Sequence, residues 1–225
     1  MKRLILLMII VSMCTVMAFA QQREMTVEES YLQESIENMI IREQSRVNNR
    51  DQKFLALELI SAAIERGNRS EEIHVTLEYL GLEGILNRSQ ESGRLINNFP
   101  DVRRETARQL GILGTPEARD ILLTLIYYEN EPMVLQEAVK SLGDIGIDDN
   151  GRTISTIAWI FHKFHNTVPD NLLAFATIEA IEKLAGSGIR NPAAVELLVR
   201  IADGPYIPVV RNRAMAVLET FRSGS

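Results

Sequence analysis

The chain has 225 residues, 46% of them hydrophobic and 24% charged, with a formal net charge of −6. That balance argues against global disorder, and only 6% aromatics beside abundant Ala, Leu and Ile favours helices over sandwiches or barrels. Net acidity argues against general nucleic-acid binding, which needs a basic face to neutralise phosphate, and against docking to anionic lipid.

Residues 1–20 read as a secretory signal peptide. Met1-Lys2-Arg3 is a positive start, Leu4 to Val16 is apolar apart from Ser12 and Thr15, and Ala18-Phe19-Ala20 fits the small-x-small cleavage rule. Cleavage after Ala20 predicts an exported, periplasmic chain with no membrane span in its mature part. The alternatives are an uncleaved leader kept as an anchor and a lipoprotein carried on Cys14. Met13 stands before Cys14 where a lipoprotein would have a small residue, which favours an ordinary leader cysteine. Losing residues 1–20 removes Lys2 and Arg3 and no carboxylate, so the net charge moves from −6 to −8. It also removes the sole cysteine, and with it any disulfide, thiol catalysis or cysteine-held metal.

Residues 21–99 form an N-terminal helical region. A first amphipathic helix is expected over 24–48, with Val27, Tyr31, Ile36, Met39 and Ile40 apolar and a capping box between Thr26 and Glu29. Asp51 is expected to cap a second helix ending at Gly67-Asn68, and Ser70 to open a third. Residues 81–99, broken by Gly81, Gly84 and Gly93, read as short helical pieces.

From Pro100 the sequence repeats itself. Pro100-x-Val102-x3-Thr106-x3-Leu110, Pro132-x-Val134-x3-Ala138-x3-Leu142 and Pro208-x-Val210-x3-Ala214-x3-Leu218 share one pattern. A looser copy starts at Pro169, with Ala180 and Leu184 shifted by five residues. Proline suits a first helical turn, and positions four apart share a helix face, where a small residue lets a neighbour approach. Gly114 and Gly146 suit left-handed C-caps. A second helix follows each first one, opening at Thr115-Pro116, near Thr153 and at Asn191-Pro192. Each unit is thus a helical hairpin of a length typical of helical solenoids.

Val102-Arg103-Arg104-x2-Ala107-x2-Leu110-Gly111-x-Leu113-Gly114-Thr115-Pro116-Glu117-Ala118 resembles the HEAT and HEAT-like repeat family, including the short version found in phycobilin lyases. The resemblance covers about residues 100–222. It implies an all-α fold, a right-handed α-α superhelix or α-solenoid of stacked helical hairpins over 100–225, whose second helices line a concave face. Residues 21–99 are then either a divergent repeat or a cap for the stack, which such arrays require.

Few residues suggest chemistry. His162 and His165 are three apart on one helix, but Lys163 intervenes and no carboxylate lies within a turn, so they read as polar residues at a helix end rather than metal ligands. Asp148-Asp149-Asn150-Gly151 fails the calcium-loop pattern at Gly146 and Ile157 and reads as a turn. Arg103, Arg104 and Arg108 read as a solvated helix face rather than a phosphate site. No hydrolase, metalloprotease or phosphate-loop signature occurs, so no catalytic residue, cofactor or metal is assigned. Tyr127, Tyr128, Trp159, His162 and Lys163 are the candidate partner-binding surface, aromatic hot spots on a rigid array. The alternative is core packing, with Trp159 and Ile160 filling the seam between repeats. The sequence therefore points to a non-enzymatic scaffold of the bacterial cell envelope that binds a protein or peptide. Its alternatives are a structural subunit of an envelope assembly and a lyase-like or chromophore-handling enzyme.

Overall fold

The computed structural model describes residues 26–223. The expected leader over residues 1–20, its expected cleavage site and Cys14 lie outside the described residues. Contacts divide the chain into two compact units at Met39/Ile40.

Helix α1 (Val27–Arg46) begins in the first unit. Its start is the expected capping box: Thr26 N–H donates to Glu29 Oε2 at 3.0 Å, and Glu29 N–H donates to Thr26 Oγ1 at 3.2 Å. The apolar side chains Val27, Tyr31, Leu32, Ile36 and Met39 are exposed.

In the second unit the helices are α2 (Arg50–Glu65), α3 (Glu71–Leu82), α4 (Pro100–Leu113), α5 (Pro116–Tyr128), α6 (Pro132–Ile145), α7 (Arg152–His165), α8 (Asn171–Gly186), α9 (Pro192–Ala202) and α10 (Pro208–Ser223). They stack as hairpins in two layers. The first layer runs α2, α4, α6, α8, α10, and the second runs α3, α5, α7, α9, each helix beside the next of its layer. The fold is an all-α, HEAT-like solenoid. The pair α2–α3 occupies the place of one more hairpin, with α2 beside α4 and α3 beside α5.

The repeat pattern is the core of this stack. Val102, Thr106 and Leu110, then Val134, Ala138 and Leu142, then Val210 and Ala214 are all buried. In the shifted copy Ala176, Ala180 and Leu184 take that role. Prolines 100, 132 and 208 each open a helix, while Gly114 and Gly146 close α4 and α6 in the left-handed conformation. Two other glycines act inside helices. A Cβ on Gly111 would stand 2.8 Å from the Ser141 side chain, and one on Gly143 would stand 2.5 Å from the Ala180 backbone. The first-layer helices therefore touch backbone to backbone at the small residues.

Three local expectations need correction. Beyond Leu82, which ends α3, residues 83–99 are not helical pieces: β1 (Gln90–Glu91) and β2 (Arg94–Leu95) form an antiparallel hairpin. Ser92 and Gly93 both have positive φ, the geometry of a tight two-residue hairpin turn. Strands of two residues are too short to show any alternation. Asp51 is not the cap of α2. Asn49 is, its Oδ1 accepting from the N–H groups of Asp51 and Gln52 at 2.9 and 3.2 Å. Finally, Arg103 is not solvated, as described below.

Candidate functional site

The second-layer helices bury one side and leave the other to solvent. On α5 the core takes Leu122, Leu125 and Ile126, which leaves Tyr127 and Tyr128 outside at its C-terminal end. On α7 the core takes Ile154, Ile157, Ile160 and Phe161, and Trp159 faces out between them. Ile160 is thus the seam residue and Trp159 is not. Stacking of the two helices brings these side chains together. The Tyr127 and Trp159 rings stack at 5.3 Å with 20° between planes, and Tyr128 meets Tyr127 edge-on at 5.0 Å. Even so, Tyr127 is 61% and Trp159 41% exposed.

Lys163 lies one turn beyond Trp159. Its Nζ stands 5.5 Å from the Trp159 ring centre and donates to Asn130 Oδ1 at 2.9 Å. Asn130 follows α5, so one cation clamps both helices. The four side chains form an aromatic shelf with a positive edge, built from two consecutive repeats. Stacked rings contribute about 0.5–1.5 kcal/mol beyond burial, and an exposed cation–π contact about 0.5–1 kcal/mol, enough to fix side chains that solvent reaches.

His162, the fifth expected residue, is not part of this shelf. It meets Phe161 edge-on and lies near Glu196 and Arg200 of α9. Burial holds its imidazole below the usual value, and the charge of Arg200 adds to that, opposed by Glu196. Its neighbour His165 stacks on Phe161 at 5.2 Å and hydrogen-bonds Tyr206 Oη through Nδ1 at 2.9 Å. Burial, then the nearby Asp170 carboxylate, pushes the Tyr206 phenol up to about 12. The two histidines thus serve packing and a hydrogen bond to the α9–α10 connection.

The shelf rests on a buried ion pair that the sequence did not signal by its motif. Arg103 is 2% exposed. Its Nε donates to Glu129 Oε2 at 2.6 Å, and its Nη2 to Oε1 at 3.3 Å. Nη1 donates to the Glu83 carbonyl at 3.2 Å and to Asn98 Oδ1 at 2.8 Å. Glu129 Oε1 also accepts from the N–H groups of Asn130 and Glu131, at 2.8 and 3.0 Å. Glu129 directly follows Tyr127 and Tyr128, so this pair fixes the end of α5 that carries them. By contrast Arg108 is on the surface, bound to Glu105, and Arg104 lies near Glu137. Carboxylates already face both.

A sequence profile of HEAT repeats matches residues 94–156, the segment that holds α4 to α6, the Arg103–Glu129 pair and the tyrosine half of the shelf. HEAT repeats commonly mediate protein–protein interaction or act as scaffolds. No curated protein matches the chain. Among solved structures, the chain is similar to a de novo designed 16-helix transmembrane nanopore at 15% identity and a TM-score of 0.28, over 86% of this chain and 62% of that one. No helix among the described residues is long and apolar enough to cross a membrane.

Proposed function

We propose that this chain is a non-enzymatic HEAT-type scaffold of the cell envelope that holds a protein or peptide segment on the Tyr127–Tyr128–Trp159–Lys163 shelf. The observation that carries this reading is the ring stack between consecutive repeats that remains exposed. Preordered aromatic faces lose little conformational entropy on binding, which is why such residues dominate hot spots. The chemistry favours an extended segment presenting a proline, aliphatic or aromatic side chain to the rings. A carboxylate next to it would meet the ammonium of Lys163, whose hydrogen-bond partner among the described residues is the neutral amide of Asn130. The envelope location is supported by the leader-like residues 1–20.

The test is photo-crosslinking in intact cells. A crosslinking amino acid at Tyr128 should give a discrete protein adduct in the envelope fraction, and the same residue at Arg104 should not. Adding Trp159→Ala should abolish the Tyr128 adduct. Equal adducts from both positions, or an adduct indifferent to Trp159→Ala, would sink the proposal.

A further inference from the structure

Away from the shelf, α9 and α10 enclose an open groove of ≈ 1080 Å³. Its floor is apolar, built from Val195, Val199, Met215, Leu218 and Phe221. Val195, Val199 and Met215 are among the exposed large hydrophobic residues, although the repeat pattern elsewhere buries such side chains against a neighbour.

The groove's charges are sorted by end. Helices α9 and α10 run antiparallel, since the Arg190 guanidinium before α9 lies 5.9 Å from the Phe221 ring near the end of α10. Arg190 and Arg222 therefore share one end, with Glu219 a turn inward, and Asp203 holds the other. Eleven residues of α9 separate these ends by about 17 Å. Asp203, Glu219 and Arg222 are exposed and form no ion pair among the described residues. Arg213, on another side of α10, is taken by Glu182 of α8, and half-buried Arg211 is outside the groove wall. Asp203 is also the C-cap of α9, where a negative charge opposes the helix dipole. Local stability gives no reason for a carboxylate at that position.

We propose that the α9/α10 face pairs with the same face of a second copy of this chain, about a two-fold axis that sets the grooves antiparallel. In that arrangement the Met215 and Val199 ridges of each copy enter the other's groove. The Asp203 end of one copy meets the Arg190–Arg222 end of its partner, twice per dimer. A parallel arrangement would set arginines against arginines, so the charge order selects the two-fold pairing. The face covers about 400–500 Å² per copy, from helix lengths and spacing. About 800–1,000 Å² in total is the size of weak, transient interfaces, so the pairing is expected only at micromolar or higher concentrations.

Sedimentation velocity of the full chain as recovered from producing cells, over about 1 to 200 μM, tests this. The expected result is a monomer–dimer transition. Val199→Asp should leave helicity unchanged by circular dichroism and give monomer throughout. Asp203→Arg and Arg222→Asp should each weaken dimerisation about tenfold, because each puts like charges together twice. The double variant should bind more tightly than either single variant, because the exchanged charges at 203 and 222 again meet opposites while Arg190 stays in place. A wild type that is monomeric at the highest concentration overturns the proposal. So does a dimer that survives Val199→Asp, or a double variant no tighter than either single variant.

Discussion

Arg103→Met should cost about 3–5 kcal/mol of stability, because it strands the Glu129 carboxylate in a buried site. The magnitude follows from what each group loses. Arg103 gives up a two-point contact with Glu129 and the donors that satisfy the Glu83 carbonyl and Asn98. Glu129 keeps only the N–H groups of Asn130 and Glu131, too little to hold a charge away from water. At about 2–4 °C per kcal/mol for a chain of this size, the melting temperature should fall by about 6–20 °C. Glu129→Gln alone should cost a similar amount, since it leaves the guanidinium uncompensated. The double variant should recover most of the loss, because Gln still accepts the two backbone N–H bonds and no charge remains buried. Urea unfolding followed by circular dichroism on all four proteins gives the coupling energy. A single-variant cost below about 1 kcal/mol, or costs that simply add in the double variant, would refute the assignment of a buried, mutually dependent pair.

Two further outcomes follow from the packing and from Tyr206. Gly143→Ala should destabilise by about 2–4 kcal/mol, because its new methyl meets the Ala180 backbone, whereas Gly186→Ala, with nothing within 4 Å, should be neutral or stabilising by up to about 1 kcal/mol; equal effects in thermal melts would disprove the close seam. Tyr206 keeps its proton to about pH 12 when folded but loses it near its ordinary 10.0 when unfolded. Its contribution is therefore complete below pH 10 and falls by about 2–3 kcal/mol as pH rises from 10 to 12. Tyr206→Phe should lack that part of the slope in urea midpoints measured across the window, and identical slopes would refute it.

Much of the fold was legible because the repeat writes the same physical constraint several times. Proline at a first turn, three residues on one face and a glycine after the last turn each act within one helix, so they survive reading along the chain. The shelf was half legible. Tyr127, Tyr128 and Trp159 could be chosen by type, yet whether Trp159 or Ile160 faces the seam depends on the rotation of α7 against α5. Arg103 was missed because a charge next to Arg104 reads as surface. A signal was nonetheless present in the aligned copies: Arg103 matches the position of Leu135, which is fully buried, and Arg103, Ala107 and Gly111 lie four apart, as do Leu135, Val139 and Gly143. The hairpin at 90–95 gave no periodic signal, only the Ser92-Gly93 dipeptide.

The two layers divide stability from recognition. Among the described residues, helices α4, α6 and α8 form the densest contacts, locked where Gly111 meets Ser141 and Gly143 meets Ala180. No side chain can be added at those points without moving a helix. Second-layer helices touch more sparsely, and their outer positions can hold rings as large as Trp159 without disturbing the core. A surface built this way can change its side chains, and so its partner, while the glycine seam keeps the spacing of the helices that present them. Buried ion pairs join the layers: Arg103–Glu129 runs from α4 to the residue after Tyr128, and Lys53–Glu83 runs from α2 to the residue after α3. Loss of the Arg103–Glu129 pair should therefore loosen the shelf as well as the fold, whereas loss of Trp159 should remove the shelf and leave the fold in place.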